Sequence, residues 1–264
     1  MSRPVVSMCA IVKNEWDRLP SMIQSARPIA DEIVVIDTGS TDDTQMVARR
    51  LGARVFEHPW TDNFAAARNA SLDHARGEWI LVLDADDRLL PFGMTMIRRA
   101  LSWPLRRDDL VLTGYSLGIR EQALDGTIIG TAASSGRLFP RSISRRYYGR
   151  VHEEVLYRGD RSKTRWGLLP GEHITHTGYD PSLMPAKYER NLRLLKLRLA
   201  EDENDIWAFY YLAMTYRNMG DLEHAYDWAK ETLADGRLPI AQHIELRRLL
   251  EELPRVAARR LGMA

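Results

Sequence analysis

The sequence predicts an α/β fold over residues 1–179, an open sheet interleaved with helices, followed by an all-α helical-hairpin appendage over residues 180–264. Three observations carry this expectation. Short apolar runs rich in β-branched residues alternate with segments of helical hydrophobic spacing up to residue 83, the order of a sheet covered by helices. Three of those runs end in polar clusters, at residues 13–15, 37–41 and 84–87, all falling on the sheet edge where open α/β proteins bind ligands. From Pro185 onward the character changes to continuous helical periodicity.

The first run, residues 5–12 (VVSMCAIV), predicts a buried strand. Cys9 lies inside it and is the only cysteine, which excludes an internal disulfide, fits a reducing cytoplasm and predicts a structural thiol rather than a nucleophile. Leu19, Met22, Ile23 and Ala26 then recur at helical spacing. Residues 32–36 predict a second buried strand, ending in Asp37 and a turn at Gly39 and Ser40. Ser40 or Thr41 is expected to cap the next helix, which carries Met46, Val47, Ala48 and Leu51 and stops at Gly52. Residues 53–56 predict a third strand, and residues 63–75 a helix closed by Gly77.

Trp79, Ile80, Leu81, Val82 and Leu83 then run directly into Asp84, Ala85, Asp86 and Asp87. Continuous apolar character predicts a strand buried on both faces of a largely parallel sheet. Residues two apart on a strand point the same way, so Asp84 and Asp86 are expected to project together. Paired carboxylates are hard oxygen ligands suited to magnesium or manganese. Taken alone they could equally form a solvated turn; convergence of three polar clusters on one edge argues against that.

Beyond the aspartates, Met94, Ile97, Ala100 and Leu101 predict a helix, and residues 109–113, 115–119, 127–129 and 136–139 predict strands of a small β-rich region. Residues 147–155 and 172–179 place His152, His173 and His176 beside acids or turn glycines. Between Arg137 and Arg165 nine Lys/Arg stand against three Asp/Glu, which suits a diphosphate clamp, an acidic acceptor or a solvated surface equally well. In the helical part, Tyr188, Leu192, Leu195 and Leu199 form one stripe. Residues 206–234 predict a helix pair, with Leu212, Ala213 and Tyr216 before Gly220 and Ala225, Ala229 and Leu233 after it. That spacing resembles a tetratricopeptide unit, in which small alanines let two helices pack closely.

Composition bounds the function classes. An apolar fraction of 45%, a charged fraction of 28% and a net charge of +1 are those of an ordinary globular chain without a global field toward nucleic acid or anionic membrane. No apolar stretch reaches the length of a membrane span, and the first residues lack the pattern of a signal peptide. The expected location is the cytoplasm, including the inner face of the membrane.

Residues 5–90 resemble the nucleotide-sugar-binding half of a family 2 glycosyltransferase with the GT-A fold. The resemblance rests on the first strand with Lys13, Asn14 and Glu15, the Ile36-Asp37-Thr38-Gly39-Ser40-Thr41-Asp42 turn, the Ala67-Arg68-Asn69 helix and Asp84-Ala85-Asp86. Thr38 stands where the commoner family pattern has a second acid. The resemblance implies an inverting hexosyl- or N-acetylhexosaminyl-transferase that uses Mn2+ or Mg2+ and a nucleotide-sugar donor, UDP first among them. It implies nucleotide contacts from Asn14, Asp37, Arg68, Asn69, Asp84 and Ala85, and a metal held by Asp86 and completed by His176, with His173 as the alternative. Asp87 would lie nearer the donor sugar. Glu153, with Glu154 next, would be the base on the acceptor side. A peptide, protein or glycan is the expected acceptor, and the helical region suits a peptide, protein or second copy of the chain.

Other readings stay open at this level. A dinucleotide site lacks its glycine signature after the first strand, and a sugar-phosphate nucleotidyltransferase would carry a Gly-rich loop where Lys13, Asn14, Glu15 and Trp16 stand. A haloacid-dehalogenase-like phosphatase would need Thr or Val in place of Asp87 or Arg88. An inactive transferase-like scaffold that binds proteins through its helices is the non-enzyme alternative.

Overall fold

The structure, a computed structural model, describes residues 5–103, 106–107, 110–178 and 180–260. It divides into two units, one holding residues up to Gly149 together with Glu153–Pro181, the other Arg150–His152 with the residues from Ser182 on.

The first unit opens with the expected alternation: β1 (Val6–Val12), α1 (Leu19–Ala26), β2 (Glu32–Asp37), α2 (Thr44–Arg50), β3 (Arg54–Glu57), α3 (Phe64–His74) and β4 (Trp79–Val82). It continues with β5 (Asp87–Leu89), α4 (Pro91–Ala100), β6 (Arg106–Arg107), β7 (Leu110–Val111), β8 (Gly114–Gln122), β9 (Ile128–Pro140), β10 (Arg145–Tyr148), β11 (Glu154–Tyr157) and β12 (Trp166–His176). Eight strands form one sheet in the order β3-β2-β1-β4-β9-β8-β12-β5.

Alternation along each central strand divides the core between the two faces of the sheet. Met8 and Ala10 of β1, Val35 of β2 and Leu81 of β4 pack with Leu19, Met22, Ile23 and Ala26 of α1. Cys9, Val34, Ile80 and Val82 face the other way and pack with Ala65 and Leu72 of α3. Both faces are covered, which is why these strands read as unbroken apolar runs; each fully buried aliphatic side chain contributes roughly 1.5–3 kcal/mol. The Cys9 thiol lies 3.8 Å from the Ser71 carbonyl oxygen, and burial pushes it up to about 12, so it is a packing residue.

Several expectations change on contact with the fold. β3, β2, β1 and β4 are parallel, as are β8 and β12, but β9 runs antiparallel to β4 and β8, and β5 to β12, so the sheet is mixed. The two short strands expected between residues 127 and 139 are one strand of 13 residues, because Gly130 and Gly136 are absorbed without breaking it. Of the strand expected over residues 109–113, β7 covers Leu110–Val111, and Asp109 lies outside the described residues. α2 has Asp43 at its N-cap, while Ser40 and Thr41 instead bond to Asp37 and Asn14.

The second unit is helical: α5 (Met184–Glu201), α6 (Ile206–Met219), α7 (Leu222–Asp235) and α8 (Ile240–Arg260). Asp205 caps α6 by accepting from the amides of Trp207 and Ala208, and Gly220 ends it with φ of +80°, the left-handed turn that glycine adopts without steric cost. Ala213, Ala225 and Ala229 are fully buried between α6 and α7. His152 belongs to this unit, its ring stacked on Tyr211 with centroids 4.0 Å apart. Among the described residues no helix is long and apolar enough to cross a membrane.

Candidate active site

The three aspartates after β4 do not project side by side. The strand closes at Val82, and the chain turns so that the Asp87 amide donates to the Asp84 carbonyl at 2.9 Å. The Asp84 amide in turn donates to Asp87 Oδ2 at 2.7 Å. A turn of this kind sends each carboxylate to a different neighbour. Asp84 meets Arg68 of α3 and Arg137 of β9, each at 2.9 Å. Asp87, fully buried, also accepts from Arg137 Nη1 at 2.9 Å and lies 2.8 Å from His176 Nδ1.

Asp87 is therefore buried beneath the turn. Its place follows from register: β5 pairs antiparallel with β12 and sets Asp87 opposite His176. On the far side, Arg68 Nε donates to Glu153 Oε1 at 2.5 Å. Glu153, Arg68, Asp84, Arg137, Asp87 and His176 thus form a continuous chain of alternating charge. Burial disfavours the charged forms of Arg68, Asp84, Arg137 and His176, and their neighbours counter it. Although burial opposes ionisation of Asp84, the guanidiniums of Arg137 and Arg68 hold its carboxyl well below the usual carboxylate range. Burial likewise disfavours the His176 cation, but the hydrogen bond to Asp87 and the charges of Asp86, Asp87 and Asp84 raise it above the ordinary histidine value.

Asp86 turns to the histidine end of this chain. Its Oδ1 lies 3.4 Å from His176 Nδ1, and Asp86, Asp87 and His176 each offer a ligand atom within 4.8 Å of the others. Gly178 closes over them: a Cβ there would come within 2.2 Å of Asp86 Oδ2 and 2.5 Å of His176 Nε2. Carboxylate oxygen and imidazole nitrogen, with a second carboxylate behind the ring, are the donor set and outer-shell support of a divalent-cation site. Four carboxylates face two guanidiniums in the group, so a doubly charged cation fits its electrostatics as well. Asp86 and His176 could serve as ligands of such an ion, with Asp87 hydrogen-bonded to the imidazole.

Two expected outcomes follow. Gly178→Ala should remove any metal-dependent rise in melting temperature, because the methyl group occupies the space between the two ligand atoms. Asp87→Asn should weaken Mn2+ binding about 10- to 100-fold, as loss of a carboxylate behind a ligating histidine does. It should also lower the melting temperature of the metal-free protein, since it breaks a buried pair with Arg137 worth up to roughly 3–5 kcal/mol.

The remaining expected residues fall as follows. Asn14, at the end of β1 with φ of +56°, accepts from the Thr41 amide at 2.8 Å. Asp37, buried at the end of β2, accepts from the amides of Gly39 at 3.2 Å and Ser40 at 3.0 Å, and from Gln45 Nε2 at 3.0 Å. These bonds shape the turn between β2 and α2 beside Asn14. The Ala85 carbonyl accepts from Arg88 Nη1 at 2.7 Å. Both amide atoms of Asn69 are bonded to the Tyr147 backbone at 2.9 Å, so Asn69 braces α3 against β10. Glu154 pairs with Arg161 at 2.6 Å, away from the charged chain. His173 accepts from the Gly118 amide at 2.9 Å and packs under Gly93 on α4, outside the ligand group.

Arg137, and Asp87 as a partner of histidine, escaped sequence reasoning. Arg137 was one of nine basic residues in its stretch, and its distinguishing signal is position: it follows Gly136 and precedes the buried Leu138 and Phe139. Glu15 is pushed up to about 7, first by burial and then by the charges of Asp86, Asp17 and Asp84, against Arg18, which places it in the field of the aspartates.

Comparison with known proteins follows the same outline. Residues 7–100 match the model of the family described as Glycosyl transferase family 2. A TPR repeat-containing protein of Synechococcus elongatus is 33% identical over 248 residues, covering 91% of this chain and 59% of the relative. The SPbeta prophage-derived glycosyltransferase SunS of Bacillus subtilis is 26% identical over 237 residues, covering 87% of this chain and 53% of that protein. The crystal structure of S. aureus TarS shares the fold with a TM-score of 0.50 and 15% identity, over 95% of this chain and 52% of that one. The chain spans little more than half the length of the curated relatives it matches.

Proposed function

We propose, from the match of residues 7–100 to the Glycosyl transferase family 2 model, that the chain transfers a sugar, with inversion, from a nucleotide diphosphate to a peptide, protein or glycan acceptor. The observation that carries this reading is the Asp86, Asp87 and His176 group joined through Arg137, Asp84 and Arg68 to Glu153. One end of that chain suits a cation and the other a base, the two needs of glycosyl transfer from a diphosphate.

Asp86 and His176 would hold Mn2+ or Mg2+, with Asp87 fixing the imidazole through Nδ1. When bound, the cation supplies Lewis-acid stabilisation of the departing diphosphate. Glu153 takes the proton of the acceptor as its oxygen attacks the anomeric carbon and the bond to the diphosphate breaks, the bonding electrons leaving with the phosphate. Arg68 sets the position of that carboxylate through the 2.5 Å contact. Asn14 and Asp37 shape the nucleoside end of the crevice, where the preorganised turn between β2 and α2 suits a base and ribose. The helical unit, with its tetratricopeptide-like pair α6 and α7, is assigned to holding a peptide, protein or second copy of the chain.

The test is nucleotide binding followed by donor turnover. UDP at about a hundred times its Kd should add roughly 2.7 kcal/mol and raise the melting temperature by about 5 °C or more in Mn2+, with little change in a chelator. A nucleotide-sugar panel should then show metal-dependent hydrolysis. If no nucleoside diphosphate shifts the melting curve, with or without metal, the inactive scaffold becomes the better reading.

A further inference from the structure

We propose that the outer edge of β9 receives the acceptor as an extended polypeptide strand, an assignment that rests on the transferase reading above and names its acceptor class. β9 is 13 residues long, yet β4 pairs only with Leu138, Phe139 and Pro140 at its end. β8 occupies its other side from Ile128 to Leu138. Among the described residues no strand pairs with the outer side of residues 128–135.

That stretch reads Ile-Ile-Gly-Thr-Ala-Ala-Ser-Ser, eight residues without a charge or a proline, and most of it is exposed, including Ile128 and Ile129. Proteins ordinarily blunt a long edge with charges, proline or a covering element, because unpaired N–H and C=O groups recruit other strands. Here the edge is long, uncharged and lined by small side chains that let a second backbone approach. Its alternating donors and acceptors match another extended chain, which favours a polypeptide over a glycan.

Position identifies the occupant further. At Gly136, with φ of +78°, the strand is re-aimed just where its pairing with β8 shifts register. The next residue, Arg137, binds Asp84 and Asp87. A segment laid along residues 128–135, at about 3.3 Å per residue, therefore runs up to the charged chain that carries the base. A second copy of the chain paired on the same edge would obstruct that approach, so continuity with Arg137 favours a substrate strand.

The experiment uses the full chain, Mn2+, the nucleotide sugar it hydrolyses best and a library of unstructured dodecapeptides, each with one nucleophilic side chain, read by mass spectrometry. The best peptide is then scanned by backbone N-methylation. Strand addition predicts a loss of kcat/KM of at least tenfold at every second position, with changes under twofold in between, because alternate amides face the edge. A uniform response, no response, or transfer to glycans with every peptide refused would overturn the edge assignment while leaving the transferase reading intact. No metal-dependent donor hydrolysis would instead strike down the transferase reading, and the edge assignment with it. On the protein side, Ala132→Pro and Ala133→Pro sit at adjacent positions, so one of them removes an outward amide. That variant should lose at least tenfold in peptide transfer; if both fold and neither does, the assignment fails. If either misfolds, the methylation scan decides. Conversion of a dimer to a monomer by these variants, with no periodicity in the scan, would identify a second copy as the occupant and overturn the proposal.

Discussion

Asp86→Ala should abolish donor hydrolysis and sugar transfer, by about 100- to 1,000-fold or more, the scale on which removal of a transition-state charge stabiliser is felt. Asp84 is held by Arg68 and Arg137, and Asp87 by Arg137 and the histidine; between them in the turn stands Asp86. Its side chain instead faces His176, with Gly178 against both. Loss of the carboxylate leaves the pairs of Asp84 and Asp87 with Arg68 and Arg137 in place, so the variant should still unfold cooperatively in chelator. The metal-dependent increment should vanish. Measured turnover above a few per cent of the parent, with the increment intact, would remove Asp86 from the metal site.

Glu153→Gln should leave nucleotide binding and the metal-dependent melting shift in place while slowing transfer about 100- to 10,000-fold, the contribution of a positioned general base. The amide has the shape of the carboxylate and still offers an oxygen to Arg68, which lies 2.5 Å from Glu153 Oε1, but it cannot take the acceptor's proton. Glu154→Gln provides the contrast. Its carboxylate is engaged by Arg161 in a half-buried ion pair on β11, so transfer should change by less than about threefold. The opposite ranking in single-turnover rates would move the base from Glu153 to Glu154.

The reach of sequence reasoning is visible element by element. Strands β1, β2 and β4 and helices α1 and α3 were legible because periodicity and burial on both faces are written locally. Beyond β4 the strand expected over residues 115–119 is β8, but β5 and the full length of β9 were not legible. β5 has three residues, and β9 carries exposed residues along its first half, so neither shows the apolar run by which a strand is recognised. Within the site, sequence could name Asp84, Asp86 and Asp87 as a metal motif but could not divide their roles, because strand geometry was assumed where a turn stands. Arg137 hid among other basic residues for the related reason that its partners are distant: Asp87 lies 50 positions away and Asp84 lies 53.

What the sequence determined by itself is the order of strands and helices, the polar clusters at one sheet edge, the buried Cys9 and the helical character after residue 184, all consequences of interactions within a few residues. Tertiary structure decided the division of labour. It made Asp87–Leu89 a strand, paired it antiparallel with β12 and so joined Asp87 to His176 across 89 positions of chain. It bent β9 at Gly136 to drive Arg137 between two aspartates, and brought Glu153 to Arg68 across 85. Those contacts depend on strand order and register, which no local pattern encodes, and they send three neighbouring acids to different partners: Asp84 to two arginines, Asp87 to Arg137 and the histidine, and Asp86 to the histidine end.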